Sequence, residues 1–273
     1  MISRATILIA IVLCCGCTMD SFLFNPTPLT TYTLSNTIIP DTSRTEVLFT
    51  SGGETLAGYF VRQPDSLRVA PHPTVVYHHG NKDNLAYYWD RVELLYQAGF
   101  DVFIYDYRGY GKSTGTSSET GLRQDAMAAH EYIVSRKDVD TSMICQYGYS
   151  LGGYPAFFLA ATTRTHALIT ECTFASGESL VQSGTLLNVP GSYFLEGTFG
   201  NTTLAQQRTC PLLILHGTND TFISVDQGGQ AIYNVAQAPK MFLRVQGAGH
   251  TNIPHVMGTN EYIRTITSFI RGN

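Results

Sequence analysis

Residues 143–161 read MICQYGYSLGGYPAFFLAA. The first five are a short apolar run of the kind that forms a strand buried on both faces of a parallel sheet. The last eleven, 151–161, are apolar and suit a helix. Between them stands Gly148-Tyr149-Ser150-Leu151-Gly152, a Gly-x-Ser-x-Gly segment on a strand–turn–helix corner. A hydroxyl carried on so sharp a turn projects from the end of the strand. The flanking glycines make room for the bent backbone and for the close crossing of strand and helix. The helix N-terminus behind Ser150 offers free N–H groups and a positive dipole, which favour developing negative charge. Pro155 falls near the end of the first helical turn, where a missing N–H begins to matter.

Outward from this corner, strand-like and helical segments alternate. Residues 46–51 and 54–62 flank Gly52-Gly53, a hairpin signal. Short runs rich in β-branched and aromatic residues follow at 74–78, 102–105, 167–170, 212–215 and 241–245. Helices are expected at 87–97, before Gly99, and at 119–136, 151–161, 226–236 and 260–270. A hairpin followed by repeated β-α units implies an α/β fold with a mainly parallel sheet and helices on both faces. Reactive side chains in such a sheet belong on loops at the carboxyl ends of strands.

Two further strand-end loops carry suitable groups. His216-Gly217-Thr218-Asn219-Asp220 follows 212–215, and Gly247-Ala248-Gly249-His250 follows 241–245. A serine hydroxyl is a weak nucleophile until a base takes its proton, and imidazole titrates in the useful range. The imidazole in turn needs a carboxylate to fix its tautomer. Ser150, Asp220 and His250 are therefore the expected nucleophile, acid and base. Asp226, which opens the helix expected from 226, reads as an N-cap, and His255 lies beyond Pro254 towards the last helix. His79-Gly80-Asn81 follows the strand 74–78, so the backbone N–H groups of Asn81 and Leu151 are the expected oxyanion donors. His78 and His79 read as structural. Asp106 and Arg108, in Asp106-Tyr107-Arg108-Gly109-Tyr110-Gly111-Lys112-Ser113, read as a local ion pair.

Together these segments resemble the α/β-hydrolase superfamily, and within it the Bem46-like hydrolases, relatives of monoacylglycerol lipases, serine peptidases and protein depalmitoylases. The resemblance spans roughly residues 45–271. It implies an eight-stranded sheet, the triad roles above and the oxyanion roles of Asn81 and Leu151. It leaves the substrate open, because this fold carries many chemistries. Cleavage of carboxylic esters or thioesters is the leading expectation, with a small-molecule or acyl ester as substrate. A serine peptidase and a catalytically idle lipoprotein that binds through the fold are the alternatives. The stretch 173–209 leaves room for a small lid or none, and within it Tyr193-Phe194-Leu195 is either pocket lining or core.

The amino terminus has a separate character. Arg4, an apolar run at 7–13 and Cys14-Cys15-Gly16-Cys17 have the proportions of a secretory signal, too short for a bilayer span of about 20 residues. Gly16-Cys17 resembles the lipobox of bacterial lipoproteins, although Cys14 stands where that family usually has leucine. The expected division is a signal peptide at 1–16, a linker at 17–44 and the hydrolase domain at 45–273. Lipidated Cys17 would hold an exported protein on a membrane, the outer one where the host has two. The 273 residues carry only 14% charged side chains and a net charge of −4 with no basic stripe, so nucleic acid is not an expected partner. Cys145, Cys172 and Cys210 have no metal-ligand spacing, and neither metal nor cofactor is expected.

Overall fold

The computed structural model describes residues 24–34, 37–184 and 197–272. Eight strands form one sheet: β1 (Arg44–Ser51), β2 (Glu54–Val61), β3 (Thr74–His78), β4 (Asp101–Tyr105), β5 (Ile144–Tyr149), β6 (Ala167–Glu171), β7 (Leu212–Gly217) and β8 (Lys240–Val245). Their order is β1-β2-β4-β3-β5-β6-β7-β8, and only β2 runs against its neighbours. The β1–β2 turn is closed by Gly52 and Gly53 at φ 56° and 92°. Two successive left-handed residues are what a two-residue hairpin turn requires, and glycine adopts them without strain.

Five of the six inner strands, β3 to β7, are buried at every position, which is why they read as nearly continuous apolar runs. Alternate side chains serve opposite faces. Val75, Tyr77, Tyr147 and Ile169 pack under α1 (Trp89–Gln97) and the last helix, which buries Tyr262, Ile266 and Ile270 at a four-residue spacing. Val76, Phe103 and Tyr105 face α2 (Glu119–Ser135), while Leu168, Leu212 and Ile214 face α3 (Gly153–Thr162). Ser118 caps α2 by accepting from the Gly121 N–H. Pro155 is the third residue of α3, where its missing N–H has no intrahelical partner to lose. Between β6 and β7 the described helices are α4 (Gly177–Gly184) and α5 (Asn201–Gln207), and Ala205 of α5 packs on Ala156 and Phe157 of α3. The remaining α-helices among the described residues are α6 (Ala231–Val235), α7 (Ile253–Met257) and α8 (Thr259–Arg271). Tyr193-Phe194-Leu195 lies outside the described residues. Among the described residues no helix is long and apolar enough to cross a membrane.

The structure corrects the reading of 17–44 as a linker, at least from residue 24. Phe24, Tyr32 and Ile39 are buried, and Asn25–Pro26 pairs in parallel with Lys82–Asp83. The Tyr32 hydroxyl donates to Asp106, and the Trp89 indole donates to Thr37 Oγ1 at 2.8 Å. A few anchors hold a polar strap against the domain, so its Thr, Ser, Asn and Pro content resembles that of a free chain.

Candidate active site

The three parallel strands β5, β7 and β8 end on one edge of the sheet and deliver Ser150, Asp220 and His250 there. Ser150 Oγ lies 3.0 Å from His250 Nε2, and His250 Nδ1 lies 2.8 Å from Asp220 Oδ2. Because Nδ1 faces a carboxylate it carries the ring proton, which leaves Nε2 to accept the hydrogen bond donated by the Ser150 hydroxyl.

Ser150 sits at φ +53°, the left-handed region that an ordinary side chain enters at a cost of roughly 1–3 kcal/mol. The surroundings impose it. The Thr173 hydroxyl donates to the Ser150 carbonyl at 2.7 Å. A Cβ at Gly148 would fall 2.4 Å from the Gly152 carbonyl oxygen, and one at Gly152 would fall 1.9 Å from that of His78. The strand–helix corner is thus pressed directly onto the end of β3, and the loop after β3 passes beside Ser150.

Asp220 is fully buried at its side chain. Its Oδ1 accepts from the Phe222 and Ile223 N–H groups, each at 2.9 Å, and Oδ2 serves His250. Burial pushes its carboxyl up, but the hydrogen bonds from His216 and His250 outweigh that and hold it well below the usual carboxylate range. His216 stands four residues before Asp220, and the sequence alone does not mark it. Its Nε2 lies 2.9 Å from the Ile223 carbonyl and 3.3 Å from Asp220 Oδ2. The Cys172 thiol also lies beside Asp220 and His250, and burial drives its pKa up, so it is a neutral neighbour. Its signal in the sequence was only that it follows a strand end.

The flanking candidates fall elsewhere. Asp226 is no N-cap: it is the first residue of a π-helical turn, exposed, and paired with Arg244 of β8 at 2.8 Å. His255 is exposed on α7. Asp106 and Arg108 do not pair with each other. Arg108 reaches Asp125 of α2 at 2.7 Å, while Asp106 accepts from Tyr32 and from the Leu85 N–H and lies 3.2 Å from His79 Nε2. Each found a buried partner far along the chain, which neighbourhood in sequence does not reveal. Asp106 thereby ties the amino-terminal strap to the loop that carries Asn81.

His78 is enclosed between Tyr105 and Gln146, with Nδ1 and Nε2 at 3.0 and 2.9 Å from their side-chain oxygens. Burial brings its pKa down to about 4. The unfolded chain takes up this proton near pH 6.5, but the folded chain does not until near pH 4. Stability should therefore fall as pH drops through that window, by an amount on the order of 3 kcal/mol from this residue. Urea unfolding between pH 7 and pH 4 measures it, and a flat midpoint would contradict the enclosure of a neutral His78.

A cavity of about 270 Å³ opens over Ser150 and His250, bounded by Asn81, Tyr88, Tyr149 and Phe222. Phe222 lies edge-on to the His250 ring at 5.0 Å. Lys82 also lines it, with its ammonium 4.5 Å from the Tyr87 ring centre. These aromatic walls went unrecognised in the sequence, because their residues come from separate loops.

Comparison with known proteins agrees with this architecture. The model of the alpha/beta hydrolase fold family matches residues 73–209. The protein YfhR of Escherichia coli K12 is 33% identical over 207 residues, covering 72% of this chain and 70% of that one. Protein bem46 of Schizosaccharomyces pombe is 33% identical over 180 residues, covering 63% and 59%. Among solved structures, Pyrococcus furiosus esterase Pf2001 superposes with a TM-score of 0.71 at 18% identity, over 91% of this chain and 98% of that one. At that identity the likeness speaks for the fold alone. The matched family model, the relative aligned over more than two thirds of both chains and the eight-stranded sheet lead to one conclusion: the chain belongs to the α/β-hydrolase fold family.

Proposed function

We propose that the protein is a serine hydrolase that cleaves carboxylic esters or thioesters through an acyl-enzyme. The observation that carries the reading is the unbroken chain of short contacts from Ser150 through His250 to Asp220, opening into an aromatic cleft. In this reading Ser150 Oγ attacks the substrate carbonyl carbon as its proton passes to His250 Nε2. The carbonyl oxygen gains negative charge and is received by the N–H groups of Asn81 and Leu151. His250 then returns the proton to the departing alcohol or thiol. Water, deprotonated by the same imidazole, releases the acid and restores Ser150. Asp220 stays ionised throughout and stabilises the imidazolium. A cleft of about 270 Å³ is near the lower end of small-molecule sites, which favours short or medium acyl groups.

A fluorophosphonate probe and a chain-length series of chromogenic esters test the proposal. Labelling is expected in the native protein and lost in Ser150→Ala, with turnover peaking at short or medium chains. Labelling that persists in Ser150→Ala, or no turnover of any ester or thioester, would overturn it.

The reading extends to the amino terminus as a second proposal: a signal peptide at 1–16 and lipidation of Cys17, which lies outside the described residues. It is supported by the apolar run and by Gly16-Cys17, and Thr18 favours the outer membrane. One acyl chain binds a membrane marginally and several hold it firmly. Fractionation of Cys17→Ser checks this: the variant is expected to leave the membrane fraction, and retention there would sink the idea.

A further inference from the structure

His250 lies in a loop flanked by Gly247 and Gly249, which by themselves allow it wide freedom. The first half of this loop is tied to the acid loop. The Asn219 N–H donates to the Ala248 carbonyl at 2.8 Å, and the Gly247 N–H donates to Thr218 Oγ1 at 2.9 Å. The second half is held from a different direction. The Tyr149 hydroxyl, from the residue just before the nucleophile, donates to the His250 carbonyl at 3.1 Å. Arg91 of α1 donates through Nη2 to the Thr251 carbonyl at 2.9 Å and to Glu171 Oε1 at 2.8 Å. Glu171 ends β6 and is fully buried, and its other oxygen accepts from Tyr147 and Tyr262 at 2.6 and 2.9 Å.

Such an arrangement is an expensive way to fill a core. Removing two charges from water costs several kcal/mol for each, and apolar replacements of equal volume are often as stable or more so. The second cavity beside the catalytic cleft, about 140 Å³, has Arg91 in its wall. It is a poor site for a substrate anion, because Asp90 and Glu171 already flank the guanidinium at 2.7 and 2.8 Å. What the guanidinium does reach, besides its counter-ions, is the backbone carbonyl next to the base.

We infer that Arg91 and Tyr149 are positioning residues for His250, with Glu171 keeping the Arg91 fork aimed at Thr251. This rests on the reading of His250 as the base. The 3.0 Å contact of Nε2 with Ser150 survives only if the loop carrying His250 stays where these two donors hold it, and a displacement near 1 Å costs about 100-fold in rate.

The test uses the full chain in Tyr149→Phe, Arg91→Met, Arg91→Lys and His250→Ala forms. Turnover of one soluble ester is followed alongside thermal unfolding and the downfield proton signal of the His250–Asp220 hydrogen bond. Tyr149→Phe and Arg91→Met are expected to lose about 10- to 100-fold in kcat, with KM within about twofold and a broadened or shifted downfield proton. Arg91→Lys keeps the charge but loses the planar guanidinium, whose Nη1 holds Asp90 while Nη2 reaches Glu171 and Thr251, so it should recover thermal stability more fully than kcat. If the arginine variants do not fold, Tyr149→Phe decides alone. Wild-type kcat and an unmoved proton in the folded variants, with His250→Ala inactive, would overturn the inference and leave the base assignment intact. Wild-type turnover in His250→Ala would overturn the base assignment and this inference with it.

Discussion

Asparagine in place of Asp220 is expected to leave a folded protein whose turnover is lower by about 10⁴-fold, as when the corresponding aspartate is lost from a serine protease. The geometry explains why the two effects separate. Asparagine keeps Oδ1, so it still accepts from the Phe222 and Ile223 N–H groups. It replaces Oδ2 with an NH₂ that points a donor at His250 Nδ1. The imidazole then carries its proton on Nε2, facing Ser150, where it cannot accept the proton of the hydroxyl. The control is Asp226→Asn. That carboxylate is 76% exposed and pairs with the half-exposed Arg244, so its loss should cost less than about 1 kcal/mol and leave turnover unchanged. Steady-state kinetics of both variants, with His255→Ala as a second control, check the assignment. If Asp226 or His255 proves indispensable while Asp220 does not, the triad is wrongly drawn.

Alanine at Gly152 should be more damaging to the fold than any of these. Its Cβ would fall 1.9 Å from the His78 carbonyl oxygen, 2.5 Å from the His78 carbonyl carbon and 2.7 Å from the His79 carbonyl oxygen. All three are backbone atoms at the end of a strand buried on both faces, so none can swing aside. Overpacking a well-filled interior costs about 1–3 kcal/mol, occasionally more, and a clash with fixed backbone belongs at the upper end. The expected outcome is a protein that unfolds many degrees lower and has lost fluorophosphonate labelling, because relief of the clash must move either Ser150 or the loop bearing Asn81. Gly53→Ala separates crowding from loss of glycine as such. A Cβ there meets nothing within 4 Å, so the only penalty is its left-handed backbone. Equal stability of the Gly152→Ala and native proteins would show that the elbow is not pressed onto β3 as described.

Several features were legible in the sequence because their causes are local. An inner parallel strand is buried on both faces and largely apolar, a two-glycine hairpin needs two left-handed residues, and a sharp strand–helix corner needs small residues on both sides of its serine. Each leaves a contiguous signature, as at 74–78, Gly52-Gly53 and Gly148–Gly152. The meeting of Asp220 and His250 with Ser150 was legible for a related reason. A parallel sheet brings the carboxyl ends of its strands to one edge, so position after a strand in the chain becomes proximity in space. Ser150 and His250, 100 residues apart, meet on that account.

Partnerships between distant groups had no such signature. Asp106 and Arg108 stand two residues apart, yet burial sends the first to Tyr32 and the second to Asp125. A buried charge takes the partner that desolvates with it, and folding alone determines which one that is. The strap from residue 24 looked like a linker because Phe24, Tyr32 and Ile39 follow no helical or strand period. Their partners belong to other parts of the domain. The hydrogen bonds that hold the His250 loop, from Tyr149 and Arg91, likewise join segments 101 and 160 residues apart. Local chain preferences thus determined the scaffold and which three side chains meet at its strand ends. The assembly of the sheet and the burial of its polar groups decided what holds those side chains in place, because a hydrogen bond specifies distance and direction, and neither exists until the chain has folded.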